Sequence, residues 1–204
     1  EGGIKGRKVE LIIKDDGADP EIAMQRHSEF RSEEVRLVIG HMTSNMSEVV
    51  LASQGPDLMF VSPSMGASAL TGKDDYFLRT SPLSDNQAWT FFELVEMLKI
   101  KHAVILYDVM NATYTENMAN YAKELNDTRY FINLTLVPFD SRVDNLMNVT
   151  NTVLENESVE LVLMISQAID TAVIAQSLKT NKPDLILSSV SWSMTEDLII
   201  NGGK

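Results

Sequence analysis

Short apolar runs alternate with amphipathic stretches along the whole chain. Strand candidates fall at Val9–Ile13, Val35–Ile39, Leu58–Val61, Ala103–Tyr107, Tyr130–Val137, Leu161–Ile165 and Leu185–Ser188. Each is brief, rich in Val, Ile or Leu, and bounded by polar or turn-forming residues. Helix candidates lie between them. Asp19-Pro20-Glu21 sets a capping carboxylate ahead of a proline in the first helical turn. Asn45–Gln54, Asn86–Leu98, Tyr114–Leu125, Asp144–Glu155 and Asp170–Lys179 carry apolar residues at helical spacing. In Asp144–Glu155, for instance, Leu146, Val149 and Val153 form one face at steps of three and four residues.

Strands that are apolar on both faces and alternate strictly with helices predict parallel sheets covered by helices on both sides, an α/β fold. The polar, proline-containing stretch "RTSPLSD", Arg79–Asp85, has three α/β units before it and four after. It is the expected crossing between a first lobe, residues 1–82, and a second, residues 83–204. In such sheets the loops leaving the carboxyl ends of the strands form the binding crevice. That rule selects Gly40–Asn45, Ser62–Ser68, Asp108–Tyr114, Ser166–Asp170 and Ser188–Trp192, nearly all small and hydroxyl-bearing. Helix N-termini point free N–H groups into these loops, which suits a carboxylate. Helix capping accounts for any single Ser, Asn or Asp among them. The set goes further, because it also carries an aromatic ring and an amide.

Composition narrows the partners. A net charge of −12 argues against nucleic acid and anionic membrane surfaces, both of which reward Lys and Arg. The chain has no cysteine, so it has no disulfide, thiolate zinc site or cysteine nucleophile. No Gly-x-Ser-x-Gly elbow or phosphate-binding loop occurs, and His27, His41 and His102 are scattered, so an enzyme is not expected, nor a cofactor. Asp15-Asp16 with Asp19 reads as a charged turn ahead of a helix more readily than as a metal site. Both ends are abrupt: Glu1-Gly2-Gly3-Ile4 leads into Val9–Ile13 with no earlier strand for it to pair with, and Ile199–Lys204 stops after a helix-like segment. A fragment at both ends is expected.

The motifs "GGIKGRKVELIIKDDGADPEIA", "VRLVIGHMTSNMSEVV", "VSPSMGASALT" and "YFLRTSPLSDNQAW" carry a resemblance. The chain resembles the periplasmic binding proteins of the leucine/isoleucine/valine type, most specifically over its first ninety residues. The resemblance implies two Rossmann-like lobes joined by three crossovers that close on a small ligand. It also implies that an initial strand–helix unit and a C-terminal portion are missing from this sequence. The expected partners are a small-molecule ligand, an amino acid or other carboxylate, and either membrane subunits of an ABC-type importer or a fused signalling domain.

Residue by residue, the resemblance places ligand contacts at Ser44, at Ser64, Met65 and Gly66, at Tyr114, at Gln167, and at Ser191 beside Trp192. Met65 stands where the family has a small residue and Gly66 where it has threonine, so backbone donors remain but a hydroxyl is lost. The acid that pairs with a ligand ammonium in amino-acid binders falls near Ser191, which carries no charge. Asp108 and Asp170 are the neighbouring acids, with helix capping the readier role for Asp170. Asn-x-Ser/Thr recurs at Asn45, Asn111, Asn126, Asn133, Asn148 and Asn156 and is read as coincidence, because several of these positions fall in the cleft or in a strand.

Overall fold

The computed structural model describes residues 3–53 and 55–202. Gly2 of the Gly-Gly turn and Gln54, the expected end of the second helix, lie outside the described residues. The first half of the chain folds as α1 (Pro20–Ser32), β1 (Leu37–Ile39), α2 (Ser44–Leu51), β2 (Met59–Ser62) and β3 (Phe77–Arg79). The second half folds as α3 (Ser84–Leu98), β4 (His102–Asp108), α4 (Ala112–Leu125), β5 (Asn133–Phe139), α5 (Leu146–Leu154), β6 (Leu161–Ile165), α6 (Ala168–Asn181), β7 (Ile186–Ser189) and α7 (Glu196–Asn201). Every strand pair is parallel, in the orders β1-β2-β3 and β5-β4-β6-β7. The expected α/β fold with parallel sheets is what forms.

The second sheet shows why its strands read as unbroken apolar runs. Side chains alternate across a strand, so both faces need an apolar set when both are covered. Ala103, Ile105, Leu161, Leu163 and Ile165 pack with Phe91, Phe92 and Val95 of α3 and with Met118, Ala119 and Ala122 of α4. The alternate residues Val104, Leu106, Val162 and Met164 pack with Val149 and Val153 of α5 and Ile174 and Leu178 of α6. In the first sheet Val38, Phe60 and Phe77 are buried in one cluster with Ala23 and Phe30 of α1 and Met46 and Val50 of α2. Residues 80–83 link β3 to α3, whose Phe91, Phe92 and Val95 share one buried cluster with the first sheet and one face of the second; its Trp89 indole donates to the Tyr121 hydroxyl at 3.0 Å and its Phe92 stacks on Tyr130 at 4.3 Å.

Three expectations need correction. Val9–Ile13 is not a strand: it has no ladder bonds, and Leu11 and Ile13 are 77% and 83% exposed. A groove of about 680 Å³ lies between it and β1. The third strand of the first sheet is Phe77–Arg79, three residues too short to announce themselves by periodicity. The strand expected from Tyr130 begins at Asn133, because Asn126–Tyr130 forms a π-helical turn that ends in a left-handed Phe131 (φ 55°).

Candidate functional site

The loop after β2 is built first by serines and then by an arginine. Ser62, fully buried, accepts from the Ser64 and Met65 N–H groups at 3.3 Å and donates to the His41 carbonyl, also at 3.3 Å. Arg79 clamps the far side, donating to the Ala67 carbonyl and the Thr71 hydroxyl, both at 2.6 Å. The loop is then tied to the next element, because the Ser84 N–H at the start of α3 donates to the Gly66 carbonyl at 2.7 Å. The strand ends and the crossing segment thus form one braced unit.

A cavity of about 350 Å³ opens between this unit and the second sheet. On the first side it is lined by Met42 and Ser44 from the β1 loop and by Pro63, Ser64 and Gly66 from the β2 loop. Ser81, Pro82 and Gln87 of the crossing and α3 form its back. Asn111 and Tyr114 after β4, with Ser191, Trp192 and Thr195 after β7, close the second side. The order β5-β4-β6-β7 reverses direction at β4, so the β4 loop leaves the sheet at its switch point, where crevices form.

Six of the eight residues singled out from the sequence therefore meet at one cavity: Ser44, Ser64, Gly66, Tyr114, Ser191 and Trp192. Met65 and Gln167 do not line it. Met65 is 1% exposed, its side chain in the core and its N–H committed to Ser62. Gln167 precedes α6 and donates its amide to Asp170 at 2.8 Å. Gly66 has a steric reason to lack a side chain: a Cβ there would lie 3.0 Å from the Pro82 carbonyl oxygen and 3.2 Å from the Tyr114 ring. The room that a threonine would occupy is taken by Tyr114.

Sequence reasoning put Asn111 in a crevice loop but assigned no contact to it or to Gln87. Gln87 donates through Nε2 to the Tyr114 hydroxyl and accepts at Oε1 from the Ser191 N–H, each at 2.8 Å. One side chain thus joins the β4 and β7 loops, with Tyr114 and Trp192 edge to face at 6.1 Å. The signal was present, since Gln87 closes the Asp-x-Gln element of the quoted motif. Burial pushes the Tyr114 pKa up, against the pull of its bonds to Gln87 and Ser191, so the phenol is neutral.

At the rim the two helix N-termini touch. The Asn45 N–H of α2 donates to Asn111 Oδ1 at 3.1 Å, and the Thr113 hydroxyl of α4 lies 2.8 Å from Asn45 Oδ1 and 2.5 Å from Glu48 Oε2. Two of the six Asn-x-Ser/Thr asparagines are therefore engaged in this contact. His41 does not line the cavity and lies 2.6 Å from Asp16. Asp15 and Asp16 accept from Gly17 and Ala18 N–H groups, Asp19 caps α1, and no metal-competent cluster occurs among the described residues.

Two parallel sheets whose strand-end loops wall a shared cavity define a two-lobed α/β ligand-binding architecture. A family model of the periplasmic binding proteins matches residues 1–200, and the chain belongs to that family, whose members work in the periplasm or outside the cell. It is 28% identical over 144 residues to the Leu/Ile/Val-binding protein of Citrobacter freundii, a match covering 68% of this chain and 37% of the relative. The crystal structure of a leucine-binding protein from Thermotoga maritima superposes with a TM-score of 0.88 at 17% identity, over 100% of this chain and 58% of that one. A Rhodopseudomonas palustris ABC-transporter solute-binding protein in complex with 4-hydroxybenzoate gives 0.86 at 15% identity, over 98% and 56%. The chain thus spans just over a third of the curated relative's length and somewhat over half of each structure's.

Proposed function

We propose that the chain captures a small carboxylate between two lobes, residues 1–82 and 83–204, and delivers it to an ABC-type importer. One observation carries this reading: a single cavity has walls from the strand-end loops of both sheets, with Ser44 at the first turn of α2 on one side and Tyr114 on the other. A helix N-terminus with a buried serine hydroxyl favours an anionic group. The ligand meets one lobe first, and closure about Ser81–Leu83 adds the contacts of the other, so binding energy made only in the closed form drives the motion. No bond is made or broken. The Citrobacter relative's name gives leucine, isoleucine and valine, and the Rhodopseudomonas neighbour holds 4-hydroxybenzoate; all of these carry a carboxylate.

The test is calorimetry on the full-length protein after a thermal-shift screen of amino acids and simple organic acids. Ser44→Ala and Tyr114→Phe should each weaken binding of the best hit by about tenfold without lowering the melting temperature of the free protein. Unchanged affinity in both variants sinks the site, and stabilisation by uncharged sugars alone sinks the carboxylate.

A further inference from the structure

The fold sorts the six Asn-x-Ser/Thr triplets. Six of the thirteen asparagines begin such a triplet, where the 31 Ser and Thr among 204 residues give about two by chance. A glycan acceptor must present its amide and, two residues on, its hydroxyl on one accessible segment. Five of the six do not. Asn45 and Asn111 are engaged at the rim between α2 and α4. Asn126 is buried and bonds the carbonyl and N–H of Ile132 at 3.2 and 3.0 Å. Asn148 is exposed on α5, but a helix does not set residues i and i+2 on one face. Its partner Thr150 is fully buried, with its hydroxyl 3.0 Å from that of Ser177. Asn133 and Thr135 are exposed but fixed in β5, whose backbone pairs with β4.

Asn156-Glu157-Ser158 differs from all of these. It lies in the turn between α5 and β6, and its three residues are exposed. Asn156 Oδ1 accepts from the Ser158 N–H at 3.1 Å and from the Ser158 hydroxyl at 2.6 Å. Both bonds fall on the oxygen, and the amide nitrogen is left at the surface. Two donors there stabilise the charge that the oxygen gains when the amide gives up a proton, which frees the nitrogen lone pair. The turn sits at the amino ends of β4 and β6, where Ser158 also meets His102 Nδ1 at 2.7 Å. The cavity lies at the carboxyl ends, so a bulky polar group on Asn156 stays clear of the closing lobes. Members of the family work in the periplasm or outside the cell, where such acceptors are used.

We propose that Asn156 is an N-glycosylation site of the folded protein. The donor is a sugar joined through pyrophosphate to a membrane lipid. Asn156 Nδ2 bonds to C1 of the sugar, the C1–O bond to the pyrophosphate breaks, the nitrogen loses one proton, and the lipid pyrophosphate leaves. The inference does not depend on what the cavity binds. Its test is tandem mass spectrometry of peptides from the full-length protein, recovered from the cells that make it. Four forms are compared: wild type, Asn156→Asp, Ser158→Ala and Ser158→Thr. Asn156→Asp keeps the oxygen that holds the turn and removes the nitrogen. Ser158→Ala keeps the backbone bond and removes the hydroxyl, and Ser158→Thr restores the hydroxyl. The expected result is sugar mass on Asn156 in wild type and Ser158→Thr, and its loss in the other two. Bare Asn156 in the wild type overturns the proposal, as does sugar on Asn45, Asn111 or Asn126 in its place. Sugar that persists on Asn156 in Ser158→Ala overturns it too, because the hydroxyl would then have no part.

Discussion

The two sheets are built from similar apolar runs and end up in different environments. In β6 all five residues, Leu161 to Ile165, are buried. In the first sheet only one face is packed: Val38 is 8% exposed, while its neighbours Leu37 and Ile39 are 53% and 73% exposed. Met59 and Leu78 continue that open face, and Val9–Ile13 lies across a groove from it. An apolar run reports that a strand has the means to be covered on both faces. Whether both are covered depends on which other elements are there to do it.

The largest expected effect tests this contrast directly. Ile165→Ala deletes a side chain with no exposure between two helical layers, and should cost about 3 kcal/mol in urea unfolding. Ile39→Ala occupies the matching place at the end of a first-sheet strand and should cost under about 0.5 kcal/mol in this chain. Equal losses would show that the open face is covered in solution.

A second, smaller effect concerns how the halves are joined. The Thr113 hydroxyl contacts Asn45 and Glu48 across the rim, so Thr113→Val removes a lobe-to-lobe bond and little volume. A loss of about 1 kcal/mol is expected in the closed form, or about fivefold in ligand affinity. The unfolding midpoint of the free protein should hardly move. If the midpoint falls instead and affinity holds, the rim contact serves the fold and not closure.

What could be read from the sequence follows the same division. Alternation gave the α/β order, and the strand-end rule reached four of the loops that line the cavity, because both depend on patterns repeated along the chain. The crossing at Arg79–Asp85 was visible as a polar interruption, and it supplies Ser81 and Pro82 to the cavity. Single orientations were not visible. Met65 turns into the core although its neighbours face the cavity, and an apolar residue among small polar ones was the hint. Gln167 turns to Asp170, and Gln87 matters only because folding brings Tyr114 and Ser191 to its two ends. Such partners are distant in sequence, and no spacing rule connects them.

The smallest expected effect lies under the packed face of the first sheet. His27 of α1 is 2% exposed, stacks on Phe60 with centroids 5.6 Å apart, and bonds through neither ring nitrogen. Burial, with Arg31 and His41 nearby, holds its pKa below the ordinary 6.5. A folded-state value below the unfolded one means that the group's contribution to stability is fully present above about 6.5 and is lost as pH falls through the folded value. Asp170 has the opposite sign: burial raises its pKa above 3.8, so its contribution is lost as pH rises, in a window that starts lower. Urea midpoints followed from about pH 7.5 to about pH 5 should therefore fall in the wild type and fall less in His27→Leu, which keeps the packing and cannot be charged. The variant should also be slightly the more stable near neutrality, because it removes two buried polar atoms that have no partner. Parallel pH profiles in the two proteins would mean that the packed face of the first sheet opens to water readily enough to solvate the ring, and the contrast between the two lobes would then extend to both faces.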